Sequence, residues 1–396
     1  MIDWKECKLS SITAKIGSGA TPKGGEKSYK TEGISLIRSK NIFDFYFSEE
    51  GLAYIDEGQA NELRNVEVLE DDILINITGE SVTRCCIVPR QYLPARVNQH
   101  VSIIRPIREL ADYRFVFYFL QSNKPELNSM AEIGCTRRAL TKKMLEDLNI
   151  LLPSLPEQRA IASVLSSLDD KIDLLRRQNK TLEAMAEALF RQWFVEEKDE
   201  GWKECTIEDL CERIGSGGTP STKVEEYYNG YINWYSTKEL NDCFLFKSEK
   251  KITLQGLENS AAKLFPKGTV VIAIYAAPTV GRLGILANES SFNQAACGLV
   301  ANPEICGKEF LYIYLKNERG NLNTIASGSA QQNLNVRKIK SYPAFKVPED
   351  IMARFNHIVV PLFDKIEENS KQIRTLEKLR DSLLPKLMSG EVRVAV

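Results

Sequence analysis

Two short stretches of this chain carry side chains suited to hydrogen-bonding a flat polar surface or neutralising an anion. One is Arg137-Arg138, followed by Lys142-Lys143; the other is Gln331-Gln332-Asn333, followed by Arg337-Lys338 and Lys340. Guanidinium and primary amide groups hold several donors or acceptors in one plane, the arrangement that pairs with a nucleobase edge. Ammonium groups supply the charge that a phosphate attracts. A solvated helix start uses the same cations, so residue type leaves both readings open. Position singles these stretches out: they follow Gly134 and Gly328, in segments ending at Leu140 and Leu334 that align with one another.

Other chemistry finds less support. Gly17-Ser18-Gly19-Ala20-Thr21-Pro22-Lys23 lacks the Gly-Lys-Ser/Thr ending of a nucleotide-binding loop. A turn with positive backbone dihedrals is the expectation there, and an anion nest is the alternative. The two histidines, His100 and His357, stand far apart without Cys, Asp or Glu at metal-ligand spacing, so no metal site is expected. No Asn/Asp-Pro-Pro-Tyr-like segment and no glycine-rich cofactor loop after a strand are present to support methyl transfer. Asp71-Asp72 aligns with Lys267-Gly268, an exchange that a catalytic carboxylate would not tolerate. No catalytic residue is therefore predicted. Nine cysteines without a C-x-x-C pair fit reduced, mostly buried thiols, with Cys85-Cys86 structural.

The elements that must position these groups are written twice. Trp4-Lys5-Glu6-Cys7 and Ile16-Gly17-Ser18-Gly19-Ala20-Thr21-Pro22 return as Trp202-Lys203-Glu204-Cys205 and Ile214-Gly215-Ser216-Gly217-Gly218-Thr219-Pro220, an offset equal to half of the 396 residues. Asn98-Gln99 aligns with Asn293-Gln294. A repeat this long is a duplicated domain rather than a solenoid unit. Two homologous halves in one chain imitate a two-fold dimer, the natural reader of a two-part target. Within each half the pattern is mixed α and β: Val68–Thr78 and Lys267–Tyr275 read as strands, Tyr113–Ser122 and Phe310–Lys316 as short helices. Divergence between matched frames fits one fold with two ligands, or drift after duplication.

Each half runs into a long helical pattern. From Glu157 to Val195 no Gly or Pro intervenes, and Ile161, Leu165, Leu168, Ile172, Leu175, Asn179, Leu182, Ala186, Leu189 and Trp193 follow the heptad rhythm. At 1.5 Å per residue this gives a helix of roughly 58 Å. Phe355, Val359, Leu362, Ile366, Asn369, Ile373, Leu376, Arg380, Leu383 and Leu387 repeat the rhythm near the end of the chain. A polar residue on each seam suggests a specified pairing. Pro361 and Pro385 predict a kink or late start and fraying after Leu384. Met185, Phe190, Trp193 and Phe194, with Leu379, Leu384, Leu387 and Met388, form apolar clusters that suit either a partner surface or a seal between helices and domain. Two separate amphipathic helices, each packed on its own domain, are the simpler alternative.

Composition bounds the rest. The 43% hydrophobic and 27% charged residues are ordinary for a globular protein of two or more domains. The first residues lack a signal-peptide pattern, and Val270–Ala277, the longest apolar stretch, is too short to span a bilayer, so a cytoplasmic protein with no membrane partner is expected. A net charge of −1 gives no general push toward nucleic acid, so a DNA reader of this composition should bind weakly alone.

The duplicated halves, the Gly-Ser-Gly-x-Thr-Pro stretches, Pro156-Glu157-Gln158-Arg159 and the ending Leu379-Arg380-Asp381-Ser382-Leu383-Leu384-Pro385-Lys386-Leu387-Met388-Ser389-Gly390 resemble the specificity subunit of a type I restriction-modification system. The resemblance covers essentially the whole chain. It implies two homologous α/β target recognition domains, residues 1–152 and 199–346, and two long spacer helices, residues 153–198 and 347–396. The helices would pair as an antiparallel coiled coil with pseudo two-fold symmetry. It implies a non-catalytic subunit that binds double-stranded DNA, two modification (methyltransferase) subunits and restriction/translocase subunits. S-adenosylmethionine, ATP and magnesium are then expected on those partners, with no cofactor on this chain. A specificity subunit of a related defence system, a coiled-coil interaction protein that binds no DNA, and an enzyme acting directly on DNA are the alternatives.

Candidate base-contacting residues follow from chemistry and position. In the first half they are Arg137 and Arg138, with Arg38, Lys40, Asn41 and Arg84. In the second they are Gln331, Gln332 and Asn333, with Tyr235, Lys238 and Arg282. The change from Arg-Arg to Gln-Gln-Asn should alter the favoured bases. Surface solvation or phosphate contact is the alternative for each.

Overall fold

A computed structural model of the chain describes residues 4–132, 138–275, 279–327 and 334–395. It divides into two compact units, Met1–Asp173 with Arg374–Val396, and Leu174–Ile373.

In the first unit, Thr13–Ser18 pairs antiparallel with Val101–Pro106, which pairs with Ile73–Asn76, and that with Cys85–Ile87. A second sheet has the order Ala53–Ile55, Ile34–Ile37, Ala95–Val97, Glu67–Val68, with its central pair parallel. The strand Ile73–Asn76 is buried throughout, because residues on its two faces meet different cores. Ile73 and Ile75 join Phe115 and Leu165, whereas Leu74 joins Leu36 and Val97. Alternating side chains of one strand thus serve two layers. The expected strand Val68–Thr78 is broken in two, because Asp71 adopts a positive φ of 68° and forms a turn. Beside it, Asp72 accepts the Leu69 N–H at 2.7 Å and pairs with Arg105 at 2.7 Å, so this carboxylate is structural.

The second unit repeats the frame. Cys211–Ser216, Ala296–Ala301, Val270–Ala273 and Leu283–Leu286 lie in the same order, extended by Cys243–Leu245 along Leu283–Leu286. Lys250–Ile252, Tyr228–Tyr235 and Ser291–Phe292 form its companion sheet, again with one parallel pair. Each half is closed by a small ribbon, Lys5–Lys8 with Asn149–Leu152 and Lys203–Thr206 with Pro343–Lys346, which holds the start of the half beside the entry to its long helix. The expected short helices are present at Tyr113–Ser122 and Lys308–Asn317, buried along most of their length by their aromatic residues.

The long helices run over Leu155–Arg191, followed by a π turn at Gln192–Glu196, and over Glu349–Met388. The late start expected near Pro361 is not seen, and the helix continues past Leu384 to Met388. Both prolines lie on the exposed face, so the carbonyls that lose a backbone donor remain open to water. In the first unit Ile161, Leu165 and Ile172 are buried, with Leu168, Leu376 and Leu383 half-buried. In the second, Leu175, Val359, Asn369 and Ile373 are buried, with Asn179, Leu182, Leu189, Leu362 and Ile366 half-buried.

Within each unit the helix segments run antiparallel. In the first, Arg393 reaches Glu157 at 2.8 Å and Arg380 reaches Asp169 at 2.8 Å. In the second, Asn369 donates to Asn179 at 2.9 Å, and the rings of Phe190 and Phe355 lie 6.4 Å apart. Most of the terminal apolar clusters seal helix to domain: Phe190 and Phe194 are buried against Phe310, and Leu384, Leu387 and Met388 are buried in the core of the first unit. Met185 and Leu379 remain exposed.

Candidate nucleic-acid interface

The Gly-Ser-Gly-x-Thr-Pro stretch is built the same way in both units. Thr21 donates through its hydroxyl to Gln99 Oε1, and Thr219 donates to Gln294 Oε1. The second glycine of the stretch is required by close approach rather than by a positive dihedral. A Cβ on Gly19 would lie 2.0 Å from the Val97 carbonyl oxygen, and one on Gly217 would lie 2.0 Å from that of Phe292. Neither residue has positive φ, which corrects the expectation of a left-handed turn. The Asn-Gln dipeptides are locked in parallel fashion: the Asn98 and Asn293 N–H groups donate to Ile37 and Tyr235 carbonyls. Their side-chain oxygens accept from His100 N and Ala295 N.

In the first unit the chain of bonds continues. Gln99 Nε2 lies 3.2 Å from His100 Nε2, and His100 Nδ1 lies 2.7 Å from the Thr78 hydroxyl. His100 is thus a half-buried positioning group for this loop. Thr78 and His100 line an open depression of about 440 Å³ with Ser39, Lys40, Ser81 and Arg84. Sequence reasoning placed Lys40 and Arg84 as candidates and missed the hydroxyl and imidazole beside them.

Lys40 and Lys238 are exposed on equivalent short turns, Ser39–Asn41 and Thr237–Glu239. Asn41 stands on the same turn with a different fate. It is fully buried, accepts the Arg38 N–H at 3.1 Å, and donates to the Ser48 and Glu50 carbonyls. Glu239 does the same capping work by accepting the Ser236 N–H at 2.7 Å. Asn41 therefore has no polar atom left for a base, and the expectation for it is corrected. Tyr235 is likewise interior, 1% exposed among Leu240, Phe265 and Phe292, so its ring belongs to the core. Arg38 pairs with Glu26 at 3.0 Å and donates to the Gly51 carbonyl at 2.7 Å, which fixes it to its own domain.

Arg84 and Arg282 hold one position in the repeated frame. The Asn76 N–H donates to the Arg84 carbonyl, and the Ala273 N–H to the Arg282 carbonyl. Each arginine N–H in turn donates to Ser81 or Thr279. Their side-chain neighbours differ: the Arg84 guanidinium lies over the Phe43 ring, 5.0 Å from its centroid, whereas Arg282 Nη1 donates to Asn241 Oδ1 at 3.2 Å. Arg138 comes close to the same edge, since Gly79 N–H donates to its carbonyl, but its side chain is paired with Glu132 at 2.8 Å. Arg137, Gln331, Gln332 and Asn333 lie outside the described residues.

Among the described residues no group of His, Cys, Asp and Glu is arranged to hold a metal ion, and no helix is long and apolar enough to cross a membrane.

Comparison with known proteins matches this architecture to one family. The profile described as the type I restriction modification DNA specificity domain matches residues 1–184 and again 199–378. The chain is 25% identical to the type I restriction enzyme MjaIX specificity subunit of Methanocaldococcus jannaschii, over 99% of this chain and 94% of that relative. It is 23% identical to the type I restriction enzyme HindI specificity subunit of Haemophilus influenzae, over 99% of this chain and 100% of that relative. Among solved structures, the type I restriction-modification system S subunit from M. genitalium shares the fold, with a TM-score of 0.59 at 17% identity, covering 98% of this chain and 96% of that one.

Proposed function

Because the chain belongs to the type I restriction-modification DNA specificity family, we propose that its two halves are target recognition domains, each reading one part of an asymmetric, split duplex sequence. The chain is the specificity component and catalyses neither methylation nor cleavage. The observation that carries the two-part reading is the pairing of a shared frame with unlike contents. Thr21–Gln99 and Thr219–Gln294 repeat one another, while Phe43 beside Arg84 is replaced by Asn241 beside Arg282. Equivalent frames present the same backbone to DNA, and unlike side chains read unlike bases.

The long helices are the spacer between the domains, an antiparallel coiled coil with pseudo two-fold symmetry. At 1.5 Å per residue, 37 residues span about 55 Å. Half-sites facing one side of a duplex recur about every 34–36 Å, so such a spacer is long enough to serve both domains. The helices are also the docking site for two methyltransferase subunits, to which restriction/translocase subunits are added; S-adenosylmethionine, ATP and magnesium belong to those partners. A formal charge of −1 fits this division of labour, since the partners supply most of the phosphate contacts.

Selection from random duplexes tests the reading. The chain assembled with its modification subunit should enrich two short unlike sequences separated by a fixed unread gap, and the chain alone should bind weakly and lose affinity steeply with salt. Enrichment of one continuous sequence, or of none by an intact complex, would favour a coiled-coil interaction protein instead.

A further inference from the structure

Arg84 and Arg282 are equivalent in sequence offset and in backbone bonding, and their side-chain neighbours Phe43 and Asn241 share the same offset. Each arginine stands at the end of a hairpin loop, immediately before Cys85–Ile87 in one unit and Leu283–Leu286 in the other. Arg84 and Arg282 make no ion pair among the described residues, in contrast to Arg38 with Glu26 and Arg138 with Glu132. A guanidinium held in place by an aromatic face or an amide, without a carboxylate to neutralise it, keeps its charge and donor edges for an external acceptor.

We infer that Arg84 and Arg282 are the same base-reading residue in the two halves, each donating to a guanine edge at positions symmetric about the gap. This rests on the reading of the halves as recognition domains. The guanine is favoured because the planar fork of arginine matches its O6 and N7 acceptors in the major groove.

The neighbours set how each arginine reads. The Arg84 guanidinium carbon lies over the Phe43 ring, 5.0 Å from its centroid, a contact that restrains the side chain without consuming an N–H. Phe43 is itself stacked on Tyr46, with centroids 4.8 Å apart and rings 10° from parallel, which stiffens the platform. Around Arg84 the depression carries Lys40 as a second cation against a single carboxylate, Glu80. Arg282 instead spends an Nη1 donor on Asn241, and the Asn241 amide gains an orientation of its own beside the arginine. The first half therefore presents one reader on an aromatic platform. The second presents an arginine–asparagine pair, whose amide suits an adjacent adenine.

The test repeats the duplex selection with the assembled complex carrying Arg84→Gln, Arg282→Gln or Arg84→Lys. Arg84→Gln should reduce the guanine preference about tenfold or more at one position of one half-sequence and leave the other half unchanged. Arg282→Gln should do the same in the other half, at equal distance from the gap on the opposite strand. Arg84→Lys keeps the charge and loses the fork, so it should relax the same position with a smaller loss of total binding. It also carries the test if Arg84→Gln fails to fold, which thermal melting would reveal. Weakened binding with an unchanged sequence preference would assign these arginines to phosphate and overturn the inference, as would effects at unrelated distances from the gap. Absence of any split sequence with the unaltered chain would instead remove the underlying reading, and the inference with it.

Discussion

Asn369 donates through Nδ2 to Asn179 Oδ1 at 2.9 Å, joining the two long helices at a seam level where both carry an amide. Asn179 Nδ2 in turn donates to the Ser370 hydroxyl at 3.2 Å. Asn369 is fully buried, and its own Oδ1 has no hydrogen-bond partner among the described residues. An amide pair of this kind trades stability for register, because any slip leaves an amide facing apolar side chains. Asn369→Ala should destabilise the protein by about 1–3 kcal/mol. The double replacement Asn179→Leu with Asn369→Leu should melt no lower than wild type while broadening the distribution of assembled species. Thermal melts, a double-mutant cycle and size-exclusion chromatography measure these outcomes.

Asp169 is the corresponding polar centre of the first unit. Tyr118 donates to its carboxylate at 2.6 Å and Arg380 at 2.8 Å, and the Arg380 guanidinium lies 3.5 Å from the Phe45 ring centroid. Burial pushes the Asp169 carboxyl above its ordinary value, although both donors act in the opposite direction. Removing the carboxylate leaves the mostly buried Arg380 with one carboxylate, the more exposed Asp381 at 2.9 Å, so Asp169→Ala should cost about 3 kcal/mol or more. Tyr118→Phe removes one bond and should cost about 1–3 kcal/mol. Denaturant melts of the two variants give the comparison, and an equal loss would contradict it.

Glu367 supplies a pH-dependent term. Burial opposes its ionisation, but hydrogen bonds and charge from Lys371, at 2.6 Å, and Lys267, at 3.1 Å, outweigh burial and lower its pKa below the ordinary 4.5. A depressed carboxyl contributes stability that is complete above its unfolded value and disappears as pH falls through the folded one. Glu367→Gln should therefore lower the melting temperature at neutral pH, and its difference from wild type should close progressively below pH 4.5. Melting curves from pH 7 into the acid range check this. A difference that grew on acidification would be the wrong sign.

Gly19 and Gly217 should be intolerant of any side chain, because each would drive a Cβ into a carbonyl oxygen at 2.0 Å. Gly19→Ala and Gly217→Ala should each destabilise the unit that contains them by about 1–3 kcal/mol or more. Gly17, where a Cβ would meet nothing within 4 Å, serves as the control: Gly17→Ala should be far milder. Hydrogen exchange resolved by segment shows whether each loss stays within its own unit.

Much of this organisation was legible because duplication makes the sequence its own comparison. The offset that aligns Gly19 with Gly217 also aligns Arg84 with Arg282, and the backbone bonds of the two arginines match. The heptad rhythm marked Asn179 and Asn369 as polar positions among apolar ones, because side-chain period is dictated by helix geometry, and the two amides are hydrogen-bonded. Burial within the domains was less legible. Asn41 and Tyr235 have side chains suited to bases, yet a capping bond takes one inward and core packing the other. Residue type does not reveal which way a loop faces. Pro361 misled for a related reason: its cost depends on whether the freed carbonyl reaches water, which is a property of the tertiary face.

The central claim, that this chain confers a two-part DNA sequence on a methylating complex, is tested most directly by methylome sequencing. A host expressing the chain with its modification subunit would be compared with a host lacking it. The account predicts a new split motif with two unlike halves and a methylated adenine in each. No new methylation, from a complex shown to assemble and to hold S-adenosylmethionine, would contradict it.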